Sequence, residues 1–168
     1  MKQILSILVE NQSGVLSRIS GLFSRRGYNI ESLAVGITED KTLSRMTIVI
    51  DGDSHTAEQV EKQLNKLIDV IKVRRIPQSD LIQRELILLK VHAGQNERPN
   101  IVNICEIMGA KIADITTTTM TIELSDTPER VELMVELLRP FSIREMVRTG
   151  MVALQTGGGT ISGAKKPS

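Results

Sequence analysis

Asn11-Gln12-Ser13-Gly14-Val15-Leu16 falls where an apolar strand pattern ends and an amphipathic helix pattern begins, and these residue types suit the holding of a small zwitterion. Backbone N–H groups left unpaired in the first turn of a helix carry partial positive charge, so a carboxylate can dock there without a basic side chain. Gly14 lets a ligand approach the main chain closely, while Asn11 and Ser13 can cap the helix or exchange hydrogen bonds with the ligand. The same six residues also fit an ordinary strand-to-helix turn in which Asn, Ser and Gly serve capping alone.

Groups able to react are scarce elsewhere. His55 and His92 sit far apart in sequence, at a helix start and a strand end, and fit surface or capping roles. Cys105 occupies an apolar helical position, which favours packing over nucleophilic chemistry, and it has no metal-ligand partner at a standard spacing. Gly157-Gly158-Gly159 lacks the lysine of a phosphate-binding loop and reads as linker, and threonines 116–119 suit a hairpin without any ligand. Asp51, Asp53 and Glu58 could attract a cation, but acidic residues before a helix already have a dipole reason to be there. No nucleophile with a base, paired carboxylates or metal set emerges.

Composition narrows the partners. The chain has 168 residues, 40% of them hydrophobic, which allows one medium domain or two small ones with a packed core. Aromatic residues are 2%, limited to Phe23, Tyr28 and Phe141, and the formal net charge is +1. Neither a stacking platform nor a basic groove is on offer, so no nucleic acid is expected. A single cysteine excludes an intrachain disulfide, and no membrane span or signal peptide is legible, so the cytoplasm is the default location.

Periodicity supplies the elements that would position the turn. Residues 3–9 read as a strand with Leu5, Ile7 and Val9 on one face and Ile4 and Leu8 on the other. Residues 15–25 read as a helix with Leu16, Ile19 and Phe23 inward and Val15 and Leu22 beside them, stopped by Gly27. A hairpin of strands 28–35 and 43–51 follows. Then comes a helix capped by Ser54, with Ala57, Val60, Leu64, Leu67 and Ile68 as its apolar stripe, and a strand over 70–76 before Pro77.

The pattern then repeats. A strand carries Ile87, Leu89 and Val91, and a helix carries Ile101, Ile104, Cys105 and Met108 before Gly109. A hairpin spans 111–116 and 120–124, and Thr127-Pro128 opens a helix bearing Val131, Met134, Val135 and Leu138. A strand over 143–147 closes the unit. The fold class is therefore α+β, with two tandem ferredoxin-like βαββαβ lobes. The boundaries are a first domain over 1–77, a linker over 78–83, a second domain over 84–156 and a flexible Gly-rich tail over 157–168. Apolar character at Ile4, Leu8 and Val35 on the far sheet face predicts that a second subunit covers it. The second lobe's first strand-to-helix connection, Ala93-Gly94-Gln95-Asn96-Glu97-Arg98-Pro99, is longer and charged, which places the ligand site in the first lobe.

Together with that turn, Ser24-Arg25-Arg26-Gly27-Tyr28-Asn29-Ile30-Glu31-Ser32-Leu33 and Leu43-Ser44-Arg45-Met46-Thr47 make the sequence resemble the small regulatory subunits of acetolactate synthase. The resemblance reappears at Glu136-Leu137-Leu138-Arg139-Pro140-Phe141 and Arg148-Thr149-Gly150. It implies that the first lobe is an ACT domain, a fold that binds amino acids between two copies, so a homodimer is expected. It implies no cofactor and no catalytic residue in this chain. Thiamine diphosphate, flavin (FAD) and magnesium would sit on a separate catalytic large subunit, the main partner, which this chain would activate and render sensitive to valine. The implied valine site comprises Asn11, Gly14, Val15 and Leu16 of one copy with Asn29 and Ile30 of the other, and the hairpin around Arg45 is a candidate surface for the large subunit. The alternative is a stand-alone ACT-type amino-acid sensor acting on another partner.

Overall fold

Leu5, Ile7 and Val9, alternating along β1 (Lys2–Glu10), form the floor of the first core, and the order of the neighbouring strands follows from covering them. A computed structural model describes residues 1–161 of the chain. β1 pairs antiparallel with β3 (Leu43–Asp51) on one side and with β4 (Val70–Arg75) on the other, and β2 (Ile30–Ile37) adds to β3. The sheet order is β2-β3-β1-β4, with α1 (Val15–Arg26) and α2 (Ser54–Asn65) as the crossovers. This is the ferredoxin-like arrangement.

In α1 the buried positions are Val15, Ile19, Leu22 and Phe23. Of the expected stripe only Leu16 is left out, 47% exposed, while Val15 and Leu22 are buried with Ile19 and Phe23. Gly27, at φ 70°, ends the helix by taking the left-handed conformation, and Tyr28 N–H then returns to Phe23 O at 3.0 Å. In α2 the cap is Asp53 rather than Ser54: its Oδ1 accepts from Thr56 N–H at 2.7 Å and from the Thr56 hydroxyl at 2.9 Å. The helix ends at Asn65, so Ile68 falls outside the stripe and is 92% exposed.

The Thr56 donors hold the Asp53 carboxyl below the usual carboxylate range. Its folded value is depressed, so the stabilisation is present at neutral pH and disappears as pH falls through that lowered value. Asp53→Ala is accordingly expected to lower the melting temperature at pH 7 and to make little difference at pH 2.5, which thermal melts by circular dichroism will check.

Residues 83–150 form a second unit with the same topology. β5 (Leu81–His92) lies between β7 (Thr119–Asp126) and β8 (Ile143–Arg148), and β6 (Lys111–Ile115) pairs with β7. The helices are α3 (Arg98–Met108), which ends at Gly109, and α4 (Pro128–Leu138), where Thr127 Oγ1 accepts from Arg130 N–H. Ile101, Cys105, Met108, Val131, Met134, Val135 and Leu138 are buried against Ile87, Leu89 and Val91. Burial pushes the Cys105 thiol above its ordinary titration range, consistent with a packing role.

The segment from Met151 belongs to the first unit. Its strand β9 (Val152–Gln155), absent from the elements that periodicity predicts, pairs with β5, while residues 151–156, expected in the second domain, cluster with the first unit. Met151 and Ala153 are buried with Ile4, Val49 and Ile76, and Arg45 Nη2 donates to Ala153 O at 3.2 Å. Part of the sheet face assigned to a second subunit is thus covered by the chain itself, because a short apolar return segment satisfies the same hydrophobic demand. Of the segment expected to be a flexible tail, Ile161 is buried in the first unit, and residues 162–168 lie outside the described residues.

Candidate functional site

Gly14 stands at the N-cap of α1 with φ 85° and ψ −11°, in the left-handed region that an L side chain rarely adopts. No side chain caps this helix, which corrects the expectation for Asn11 and Ser13. Asn11 is instead tied to the β2–β3 hairpin: its N–H donates to Thr42 O at 2.7 Å and its Nδ2 to Lys41 O at 3.0 Å. Those bonds fix the turn from the hairpin side. The first intrahelical bond runs from Arg18 N–H to Gly14 O at 3.0 Å, so the amides of Val15, Leu16 and Ser17 point out of the open helix end. Asn11, Gln12, Ser13, Gly14 and Leu16 are all exposed, while the Val15 side chain is buried in the core. Val15 can therefore contribute its amide but not a pocket wall.

Asn29 and Ile30 are not near this turn in the same chain. Glu10, just before the turn, pairs with Leu43, whereas Ile30 pairs with Ile50 at the other end of β3. Seven residues of strand separate the two sets, about 23 Å. One lobe brings Asn11, Gly14, Val15 and Leu16 together and leaves Asn29 and Ile30 at the opposite end of its sheet.

Two further residues flank the turn that periodicity did not single out. Arg18 Nε donates to Asp69 Oδ2 at 2.5 Å, and Asp69 O accepts from Glu10 N–H at 2.9 Å. The only hint in the sequence was position: Arg18 lies one helical turn after Gly14.

The equivalent connection in the second lobe is filled by its own side chains. Glu97 Oε2 lies 3.4 Å from Gly94 N–H, and Arg98 donates to Ala93 O and Thr116 O. The acidic trio of the first lobe is likewise committed, since Asp51 accepts from the Met1 amino group, Asp53 caps α2 and Glu58 pairs with Lys62. Among the described residues no cluster of His, Cys, Asp and Glu has the makings of a metal site, and no helix is long and apolar enough to cross a membrane.

Residues 5–72 match the family model for the ACT domain of acetohydroxyacid synthase small subunits, and residues 84–157 match the model for the small subunit of acetolactate synthase. The chain belongs to the acetolactate synthase small-subunit family. It is 47% identical over 161 residues to the acetolactate synthase small subunit of Mycolicibacterium smegmatis, covering 96% of this chain and 95% of that one. It is 48% identical over 157 residues to the probable small subunit of Archaeoglobus fulgidus, covering 94% and 98%. The crystal structure of the Thermotoga maritima small subunit superposes with a TM-score of 0.89 at 36% identity, covering 95% of this chain and 99% of that one. As a member of that family, the chain is a regulatory subunit of a transferase, with an ACT domain as its first lobe.

Proposed function

We propose that this chain activates the separate catalytic large subunit of acetolactate synthase and makes it sensitive to feedback inhibition by valine or a related branched-chain amino acid. The large subunit would hold thiamine diphosphate, flavin and magnesium and carry out the condensation. The effector would bind between two copies of the first lobe. The observation that carries this reading is the separation of the two residue sets: an open helix terminus at one end of the sheet and Asn29-Ile30 at the other. In this reading a second copy brings the other set to the open helix end.

The edge position of β2 also favours pairing of copies. It ends the sheet with Val35 49% and Ile37 65% exposed, an apolar strand edge that gains by being covered. In the proposed complex the α1 amides take the ligand carboxylate. Asn11 Oδ1 of one copy and the Asn29 side chain and Ile30 carbonyl of the other accept from its ammonium group. The exposed Leu16 of one copy and the half-buried Ile30 and Leu33 of the other, both packed against their own core, would form the apolar wall. One methylene in such a wall is worth about 1–3 kcal/mol, so leucine and isoleucine inhibit with graded strength. Because the ligand touches both copies, it favours one relative packing over another, and inhibition follows from its higher affinity for the less active assembly.

Mixing the chain with an acetolactate synthase large subunit tests this directly. The expected result is faster pyruvate condensation that valine reverses in a saturable way. Absence of stimulation, or stimulation indifferent to every aliphatic amino acid, would sink the proposal.

A further inference from the structure

Arg18 is held over the mouth of the first-lobe turn by a carboxylate that water barely reaches. Its Nε lies 2.5 Å from Asp69 Oδ2, and the Asp69 side chain is 11% exposed. The Asp69 main chain is anchored in turn to the end of β1 through Glu10 N–H. The guanidinium is thereby fixed beside Gly14: a Cβ there would lie 3.0 Å from Nη1, 3.7 Å from Cζ and 3.9 Å from Nη2.

How Arg18 uses its donors separates it from a purely structural arginine. Arg148 in the second lobe spends Nε and Nη2 together on Glu85 and Nη1 on Glu132. Arg18 gives only Nε to Asp69, and Nη1 and Nη2 have no protein partner among the described residues. Two charged donor nitrogens thus stand beside Gly14, at the helix end from which the amides of Val15, Leu16 and Ser17 point outward, oriented before any ligand arrives. A carboxylate placed there meets donors from the helix end and from the guanidinium at once, and the buried Asp69 removes the conformational cost of positioning the arginine.

We propose that Arg18, held by Asp69, is the carboxylate-positioning residue of the first-lobe site. This rests on the reading of that lobe as an amino-acid site. Arg18 selects a free α-carboxylate, whereas the apolar wall selects the side chain. An effector without the carboxylate, such as valinamide, therefore has nothing to gain from Arg18.

The test is inhibition of the reconstituted holoenzyme by valine and by valinamide, each rate normalised to the same variant without effector. With Arg18→Gln the half-inhibitory concentration of valine is expected to rise about 10-fold or more, while the weak response to valinamide stays put. Arg18→Lys should recover part of the valine response, since it restores charge without the fork. Asp69→Asn should weaken valine although it makes the site more positive, because the guanidinium is no longer held in place. Tighter valine binding in Asp69→Asn would overturn the positioning role. So would equal weakening of valine and valinamide in Arg18→Gln, or no change in either. A wild-type holoenzyme indifferent to valine would overturn the functional reading itself, whereas a sensitive wild type with an unchanged Arg18→Gln variant removes this inference alone.

Discussion

Gly14→Asp is expected to abolish the valine inhibition proposed for the reconstituted holoenzyme. At φ 85° the position tolerates aspartate better than most L residues, at a backbone cost of about 1–2 kcal/mol, so the lobe still folds. The new Cβ lands 3.0 Å from Arg18 Nη1, a contact relieved, with Nε still on Asp69, when the end of that side chain gives by a few tenths of an ångström. Its carboxylate then lies beside the α1 amides and the guanidinium, where the effector's carboxylate would bind, and a tethered anion outcompetes a free one through its high effective concentration. Gly14→Ala supplies the Cβ without the charge and is expected to weaken inhibition without removing it. Asn29→His should also remove inhibition, acting from the other copy. Dose–response curves against valine up to millimolar concentrations decide the matter, and an unchanged curve for Gly14→Asp would place the effector elsewhere.

Arg148→Leu is the substitution expected to damage the second lobe most. Glu85 is 6% exposed and receives both Nε at 2.7 Å and Nη2 at 3.1 Å from Arg148, whose Nη1 also reaches Glu132 at 2.9 Å. These carboxylates hold the guanidinium firmly protonated, well above its ordinary value. Leucine leaves the Glu85 charge buried and unpaired. Removing one partner of a fully buried pair costs about 3–5 kcal/mol, and because Arg148 is 32% exposed the expected loss is about 2–3 kcal/mol.

The deficit comes from the Glu85 carboxylate, which stays buried and loses both of its guanidinium donors. Adding Glu85→Gln should recover part of the stability. With no tryptophan in the chain, urea dependence of amide hydrogen exchange at Ile122 and Met134 is the suitable measurement. Equal stability of Arg148→Leu and wild type at pH 7 would show that Glu85 finds other solvation.

What could be read from the residues alone was whatever is encoded over short stretches. Alternation in β1, the caps at Gly27, Gly109 and Thr127, and the repeated order of strands and helices are local signals, and they yielded both lobes. The Asn11 to Leu16 turn was legible for the same reason, as a strand period changing to a helix period across a glycine. Local patterns erred by small amounts where two neighbours compete for one role. Leu16 turns outward while Val15, Ile19, Leu22 and Phe23 stay in, and Ser54 loses the cap to Asp53, since a slight helix rotation or a one-residue shift at its start changes little in the periodicity.

The tertiary structure alone decided three things. The short strand β9 returns to the first unit and covers Ile4, Val49 and Ile76, a contact whose parts lie about a hundred residues apart and so leave no periodic trace. The pairing of Arg18 with Asp69 joins a helix to a distant loop. The antiparallel register of β3 sets Ile30 at the far end from Gly14, so that the two residue sets proposed to form the site lie at opposite ends of one lobe's sheet. Sequence fixes which groups are present and which face of an element they occupy, but only chain closure determines which distant groups meet.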